Sequence, residues 1–163
     1  MDKNKLYFIK SEYFETYKSE DNKPNKGEGH GRPCYYAFND GEISWMVPIS
    51  SQIEKYEALY EKSMSKYGKC DTLAFIYVKG NKNVALIQNM VPISEQYVNN
   101  IYLDSNTGNP IEINEKTCKE INAKVRKVLR LTEQGKHLTF TPIMEFKEQL
   151  LQELTEINKQ DED

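Results

Sequence analysis

The chain has 163 residues, of which 38% are hydrophobic and 29% are charged, and its mean hydropathy is -0.76. This length suits one domain with a real buried core, and the composition excludes both a disordered chain and a membrane-spanning one. We therefore predict a single soluble domain over residues 1–163.

The cysteines and histidines predict a reduced protein without a metal site. Cys34, Cys70 and Cys118 are odd in number, widely spaced and free of any C-x-x-C pattern. The two histidines, His30 and His137, belong to no zinc-binding signature. The charged start of the chain lacks the apolar region of a secretory signal. We expect a cytoplasmic protein, with no membrane partner, no cofactor and metal-independent chemistry.

The net charge of -3 is unevenly distributed along the chain. Residues 145–163 contain seven acids and two bases and carry -5, so the preceding 144 residues carry +2. Residues 115–136 contain seven bases and three acids. A basic body beside an acidic final helix is compatible with a polyanionic partner. The alternative, a solvated helix face with mixed charges, fits the same residues.

The first part of the chain predicts short strands, a short helix and one long polar loop. Residues 5–10 are typical of an aromatic-rich strand, and residues 11–18 of one or two helical turns. Residues 19–31 contain no hydrophobic residue and predict a loop. Asn39-Asp40-Gly41 then predicts a hairpin, and Pro48 predicts that its second strand lies at an edge or is about to end.

The polar loop ends in Gly29-His30-Gly31-Arg32-Pro33. A histidine changes charge near neutral pH and suits general acid-base chemistry, and Arg32 beside it is a candidate phosphate contact. Loop histidines are also commonly plain surface groups, and the sequence leaves both interpretations of His30 open.

A predicted strand end, two hydroxyls and a helix start meet at Ser50 and Ser51. Residues 51–54 match the S-x-x-E capping box, in which Ser51 stabilises the helix and does no chemistry. Lys55 falls in the first helical turn, where the helix dipole disfavours a cation. A bound phosphate would reverse that effect, because helix N-termini gather free amides round an anion. A phosphate site and a plain cap with a surface lysine both remain open.

The helix predicted over residues 52–67 has two faces. Lys55, Lys62 and Lys66 share one face, with Lys69 just beyond the helix, and predict contacts to a nucleic-acid backbone. The opposite, apolar face is predicted to pack on a sheet and consists of Ile53, Tyr56, Tyr60, Met64 and Tyr67.

The rest of the chain predicts more strands and then two long helices. Strands are expected at residues 72–79 and 83–88, round a turn at 80–82. The MVPIS sequence of residues 46–50 recurs at 90–94, which suggests two strand ends of like geometry in one sheet. Residues 97–103 continue as an extended piece, and residues 104–110 predict a turn.

Helices are predicted from Asn114 to Gly135 and from about residue 141 through 158. Because strands fill the first two-thirds of the chain and helices the last third, the predicted class is α+β.

This arrangement resembles the endoribonuclease toxins of type III toxin-antitoxin systems, the ToxN, AbiQ and CptN group, and is closest to the CptN branch. The motifs that carry the resemblance are VPISS at residues 47–51 and MVPI at residues 90–93. The resemblance implies a strongly twisted antiparallel sheet, similar to the Kid and MazF toxins, with flanking helices and two C-terminal helices. It also implies a bacterial, metal-independent ribonuclease that acts in phage defence on cellular or phage RNA. A small repeated RNA antitoxin, which the toxin processes and then binds in a closed toxin-RNA assembly, would inhibit it.

By position, the resemblance places the family's hydroxyl pair on Ser50 and Ser51 and its active-site tyrosine on His30. The family lysine commonly follows the pair by two residues, whereas Lys55 follows Ser51 by four. The expected reaction is attack by the RNA 2'-hydroxyl, which leaves a 2',3'-cyclic phosphate and a 5'-hydroxyl. The predicted catalytic residues are Ser50, Ser51, Lys55 and His30. The predicted RNA contacts are Arg32, Lys62, Lys66, Lys69, Lys124, Lys127 and Arg130.

Two other functions fit parts of the sequence. A non-catalytic RNA-binding module would keep the lysine faces and exposed aromatic side chains, and would bind RNA without cutting it. A serine hydrolase would need a G-x-S-x-G nucleophile elbow, which the sequence lacks, and would act on esters.

Overall fold

The computed structural model describes residues 1–21 and 31–163, which form an α+β fold, as the sequence predicted. Seven antiparallel strands make one sheet. The strands are β1 (Leu6–Ile9), β2 (Cys34–Asp40), β3 (Ile43–Ser50), β4 (Leu73–Val78), β5 (Asn81–Leu86), β6 (Val91–Ile93) and β7 (Val98–Ile101). The helices are α1 (Ser11–Thr16), α2 (Ile53–Tyr67), α3 (Glu115–Glu133) and α4 (Ile143–Glu162), with 3-10 turns at Ile87–Asn89 and Glu95–Tyr97.

Strand β3 lies at the centre of the sheet, whose order is β4-β5-β3-β2-β1-β7, with β6 also paired to β3. One side of β3 pairs with β2. The other side pairs first with β6, up to Met46 opposite Val91, and then with β5, where Ser50 lies opposite Val84. The end of β3 is thereby brought against β5, a strand much later in the chain.

Pro48 lies two residues before the end of β3, in an interior strand rather than at an edge. The backbone N–H of Ile49 donates to the carbonyl of Pro33 at 3.0 Å, on the β2 side. Because neighbouring residues of a strand direct their amides to opposite sides, the ring nitrogen of Pro48 faces the other side, where β3 passes from β6 to β5. A missing N–H costs no ladder hydrogen bond at that point.

The two MVPIS segments are neighbours in the sheet, as the sequence suggested, and they run in opposite directions. Met46 and Met90 are both fully buried, and the segments end in the buried serines Ser50 and Ser94. The repetition therefore reflects two similar strand environments.

The hairpin between β4 and β5 turns at Lys79-Gly80, since Val78 pairs with Asn81. The predicted turn at residues 80–82 was therefore wrong. Lys79 has φ 54° and Gly80 has φ 78°, and positive φ at both central residues is what a type I' turn requires. A lysine in this conformation is unusual. The shift places Asn81 and Lys82 on β5 rather than in the turn.

Helices α3 and α4 cover the main core, which includes Trp45 in the sheet. They contribute Ile121, Val125, Val128, Ile143, Phe146 and Leu150. A smaller cluster lies under α2, where Tyr56 is buried and Ile53 and Tyr60 pack against it. Met64 and Tyr67 are 37% and 64% exposed, so the predicted apolar face of α2 packs only through the first half of the helix.

In residues 1–21 and 31–163, no helix is both long enough and apolar enough to cross a membrane.

Candidate functional site

A cleft of about 540 Å³ opens where the end of β3, the approach to α2 and the β4–β5 hairpin meet. It brings together three residues predicted from the sequence, Arg32, Ser50 and Ser51. Of the described residues that line it, three are cations and none is an acid. The lining residues are Arg32, Pro33, Ile49, Ser50, Ser51, Gln52, Val78, Lys79, Asn81, Lys82, Asn83 and Tyr102.

The two serines have different surroundings within the cleft. Ser50 is the last residue of β3 and is buried, and its Oγ accepts a hydrogen bond from the backbone N–H of Gln52 at 3.2 Å. Ser51 follows the strand and is exposed. The Ser50 hydroxyl therefore shapes the turn into α2, whereas the Ser51 hydroxyl is presented to the cleft.

The predicted capping box is not formed. Gln52, rather than Ser51, occupies the cap position of α2, and its side chain makes no capping hydrogen bond. The carbonyl of Ser51 instead accepts a hydrogen bond from the backbone N–H of Ile53 at 2.9 Å, so the helix begins one residue later than the box requires. The amides of the first helical turn have no acceptor within the helix, and helix starts of this kind attract anions.

Lys82 brings a positive charge to the cleft from β5. Its Nζ lies 2.6 Å from Glu57 Oε1 on α2 and 4.3 Å from the centre of the Phe75 ring. Lys82 donates this hydrogen bond to Glu57, and the bond raises the pKa of Lys82. Glu57 contacts the Lys82 ammonium from α2 and does not itself line the cleft.

Lys79 brings a second charge from the turn between β4 and β5. Its Nζ lies 4.9 Å from the centre of the Tyr102 ring, and both residues line the cleft. A non-glycine residue at positive φ stores backbone strain, and such residues cluster at functional sites.

Sequence reasoning did not find Lys79 and Lys82. Both lie far along the chain from the serines, and only the pairing of β5 with the end of β3 brings them close. The signal in the sequence was the turn residue Gly80, with Lys79 before it and Lys82 two positions after it. Because the turn was predicted at residues 80–82, Lys82 was assigned to a loop.

Of the other two predicted catalytic residues, one does not line the cleft and one is not described by the structure. Lys55 is exposed and is not a lining residue, and its Nζ lies 5.2 Å from the centre of the Tyr56 ring. His30 lies outside the described residues, as does most of the predicted polar loop; in sequence it precedes Arg32 by two positions. The catalytic roles of both residues stay predictions.

The predicted RNA-contact residues of α2 are exposed. Lys62 and Lys66 lie on its surface, with Lys66 Nζ 5.1 Å from the centre of the Tyr67 ring. Lys69 follows the helix and lies 3.7 Å from a carboxylate oxygen of Asp71.

The predicted RNA-contact residues of α3 divide into two kinds. Lys124 donates a hydrogen bond to the carbonyl of Leu73 at 2.8 Å, and Lys127 Nζ lies 3.0 Å from Asp71 Oδ1. Both contacts tie α3 to the start of β4. Arg130 is exposed one turn further on. Contacts between RNA and these three side chains stay predictions.

Comparison with known proteins assigns no family. No family model matches the chain, and no curated protein matches it significantly. In the described parts of the chain, no three His, Cys, Asp or Glu side chains form a group that could hold a metal ion. Its three cysteines, Cys34, Cys70 and Cys118, are free and buried.

Proposed function

We propose that the chain is a metal-independent endoribonuclease toxin of the type III toxin-antitoxin kind, and that it cuts RNA in this cleft. The observation that carries the proposal is the meeting of Ser50 and Ser51 with Arg32, Lys79 and Lys82 in one cleft, just before the start of α2. A phosphodiester is an anion with hydrogen-bond acceptors, and hydroxyls and cations suit it. The resemblance of the two MVPIS-type motifs supplies the reaction class.

The reaction needs no nucleophile from the protein. The 2'-hydroxyl oxygen of RNA forms a bond to the adjacent phosphorus while the bond from phosphorus to the 5'-oxygen breaks. One proton leaves the 2'-hydroxyl and another reaches the 5'-oxygen, which gives a 2',3'-cyclic phosphate and a 5'-hydroxyl. The protein must align the three atoms and stabilise the extra negative charge on the phosphorane.

Different residues would carry out these two tasks. The Ser51 hydroxyl would donate a hydrogen bond to a non-bridging oxygen. Arg32 and Lys82 would balance the growing charge. His30 is the candidate for proton transfer, on the sequence grounds given above. Lys55 stays the candidate from the sequence for charge stabilisation, and Lys62 and Lys66 would hold RNA on the surface of α2.

The remaining parts of the proposal come from the family resemblance. A seven-stranded antiparallel sheet is compatible with the twisted sheet of the Kid and MazF toxins. The cellular partner would be a small repeated RNA antitoxin, which the chain processes and which then closes round it in a toxin-RNA assembly in the bacterial cytoplasm.

The test is cleavage of a mixed RNA by the purified chain in EDTA, with analysis of the product ends. The wild type should leave cyclic phosphate, and Ser51→Ala and Lys82→Ala should each lower the rate about 100-fold, the size typical of losing one transition-state contact. Lys55→Ala, measured in the same assay, tests the prediction from the sequence that Lys55 is catalytic. Lys159→Ala, on the acidic end of α4, is the matched control and should cut normally.

Two other outcomes would contradict the proposal. RNA that stays intact yet shifts on a gel would favour the non-catalytic RNA-binding module. Cleavage that survives in Ser51→Ala and Lys82→Ala would move the active site away from the cleft.

A further inference from the structure

The ring of Tyr102 is a fixed wall of the cleft. The backbone N–H of Tyr102 donates to the carbonyl of Leu6 at 2.8 Å, and its carbonyl accepts from the N–H of Ile111 at 3.0 Å. The Phe8 ring meets the Tyr102 ring in a T-shaped contact, with centroids 5.4 Å apart and planes at 81°. The side chain is half-buried, so the ring is held from behind while part of it faces the cleft.

The ammonium of Lys79 covers the Tyr102 ring at 4.9 Å. Lys79 is exposed, and a contact between a solvent-exposed ammonium and a ring is weak. A nucleobase stacks on an aromatic side chain more strongly than that, whatever the base. A base that entered the cleft could therefore displace the ammonium, which would then be free for a phosphate.

The same cleft is also lined by two asparagines, Asn81 and Asn83. Asn83 donates one of its amide hydrogens to the carbonyl of Asn81 at 3.0 Å, which orients its side chain. Carboxamides both donate and accept hydrogen bonds, as base edges do. The cleft thus offers a stacking surface and polar groups in addition to its phosphate-binding groups.

We propose that the cleft binds a whole ribonucleotide unit, with the base stacked on Tyr102 in place of the Lys79 ammonium and the phosphate held by Ser51 and Lys82. This proposal deepens the ribonuclease function proposed above and rests on it for the identity of the substrate. Tyr102 is then a positioning residue, because it orients the nucleotide and takes no part in proton transfer.

The test measures binding without cleavage. Adenosine 3'-monophosphate, ribose 5-phosphate and inorganic phosphate are titrated separately into the wild-type chain by calorimetry. The nucleotide should bind roughly tenfold or more tightly than the sugar phosphate, as expected for one stacked base. Tyr102→Leu should remove this preference and leave the affinity for inorganic phosphate unchanged. Tyr102→Phe keeps the ring and should keep the preference.

Two further variants serve as controls. Tyr67→Leu removes an exposed tyrosine at the end of α2, outside the cleft, and should change nothing. Lys79→Ala should weaken binding of all three compounds without lowering the preference for the nucleotide. Equal binding of nucleotide and sugar phosphate by the wild type would overturn the proposal, even if Tyr102→Leu did not fold. So would a preference that survives in a folded Tyr102→Leu.

Comparison with RNA cleavage separates the two proposals. If the wild type cuts RNA but shows no preference for the nucleotide, the Tyr102 proposal fails and the ribonuclease stands. If the preference depends on Tyr102 but no RNA is cut, the ribonuclease fails and the nucleotide site stands.

Discussion

The hydroxyl oxygen of Ser50 accepts a hydrogen bond from the backbone N–H of Gln52 at 3.2 Å. This hydrogen bond holds Ser50, the buried first serine of the pair, in the turn between β3 and α2. The adjacent Ser51 is exposed on the same cleft and makes no cap for the helix. Two hydroxyls that look equivalent in sequence therefore have different surroundings: Ser50 is held in the turn, whereas Ser51 is open to the cleft, where we propose that RNA binds.

Alanine at each serine should separate these tasks. Ser50→Ala removes a hydrogen bond from a buried turn and should lower the free energy of unfolding by about 1 kcal/mol. Ser51→Ala removes an exposed hydroxyl and should change it by less than about 0.5 kcal/mol, while RNA cleavage falls as proposed above. Urea unfolding and a cleavage assay on the same preparations measure both effects. A larger stability loss in Ser51→Ala would show that the second serine is the structural one.

Replacement of Lys79 should stabilise the protein and weaken its binding. In Lys79→Asn the β4–β5 turn gains asparagine before Gly80, the residue pair that type I' turns favour. Relief of the left-handed lysine should raise the free energy of unfolding by about 1 kcal/mol. Loss of the charge should lower the affinity for phosphate and flatten the dependence of RNA binding on salt.

The matched control is Lys82→Asn, which removes a charge from the same cleft at a strand position. It should weaken phosphate binding in the same way without any gain in stability, because Lys82 carries no positive φ. Equal stability changes in the two variants would show that the turn at Lys79 is not strained.

The sequence was sufficient for the elements whose signals are local. A helix was predicted from Asn114 to Gly135, and α3 spans Glu115–Glu133, with the buried Ile121, Val125 and Val128 three and four positions apart. Asn39-Asp40-Gly41 correctly predicted a hairpin between β2 and β3, and Gly41 has positive φ there, but the two turn residues are Gly41 and Glu42, because Asp40 belongs to β2 and pairs with Ile43. Such patterns report which side of an element is buried and where the chain reverses.

The cleft depends on pairings that no local pattern encodes. Ser50 lies opposite Val84, and this register alone brings the serines near Lys79 and Lys82. A glycine marks a turn without showing whether the residue before it or after it is the second turn residue, so the β4–β5 turn was misplaced. The S-x-x-E pattern likewise fitted a cap, but the hydrogen bond between Ser50 and Gln52 formed instead.

Helix α3 offers a test of whether its lysines serve stability. Lys124 is largely buried, donates to the carbonyl of Leu73 at 2.8 Å and lies 3.5 Å from Glu120. Lys124→Met should lower the free energy of unfolding by about 1 to 2 kcal/mol, because a charge-assisted hydrogen bond is lost and the carbonyl is left unpaired. Arg130→Met, at an exposed position of the same helix, should change it by less than about 0.5 kcal/mol. Urea unfolding of both variants measures these changes. Equal losses in the free energy of unfolding would show that Lys124 has no such structural role.

The carboxylate of Glu153 on α4 accepts hydrogen bonds from two phenols. These contacts should make the free energy of unfolding depend on pH in the alkaline range. Tyr17 and Tyr97 each donate their hydroxyl to a Glu153 oxygen at 2.6 Å. Burial first, and then the hydrogen bond with Glu153, raise the pKa of Tyr97 to about 12 and that of Tyr17 further above its ordinary value. In the unfolded chain both phenols ionise near pH 10.

The sign of the effect follows from the direction of these pKa shifts. A phenol with a raised pKa in the folded state contributes its full stability below pH 10, and that contribution is lost as the pH rises from about 10 to 12. In Tyr97→Phe one titrating group is absent, so the free energy of unfolding should fall less steeply over this range, from a lower starting value at pH 8. Tyr77→Phe, at an exposed position of β4, is the matched control and should leave stability at pH 8 unchanged. Urea unfolding from pH 8 to 11 gives the slopes. Parallel curves for the wild type and Tyr97→Phe above pH 10 would show that the Tyr97 phenol titrates alike in the folded and unfolded chains.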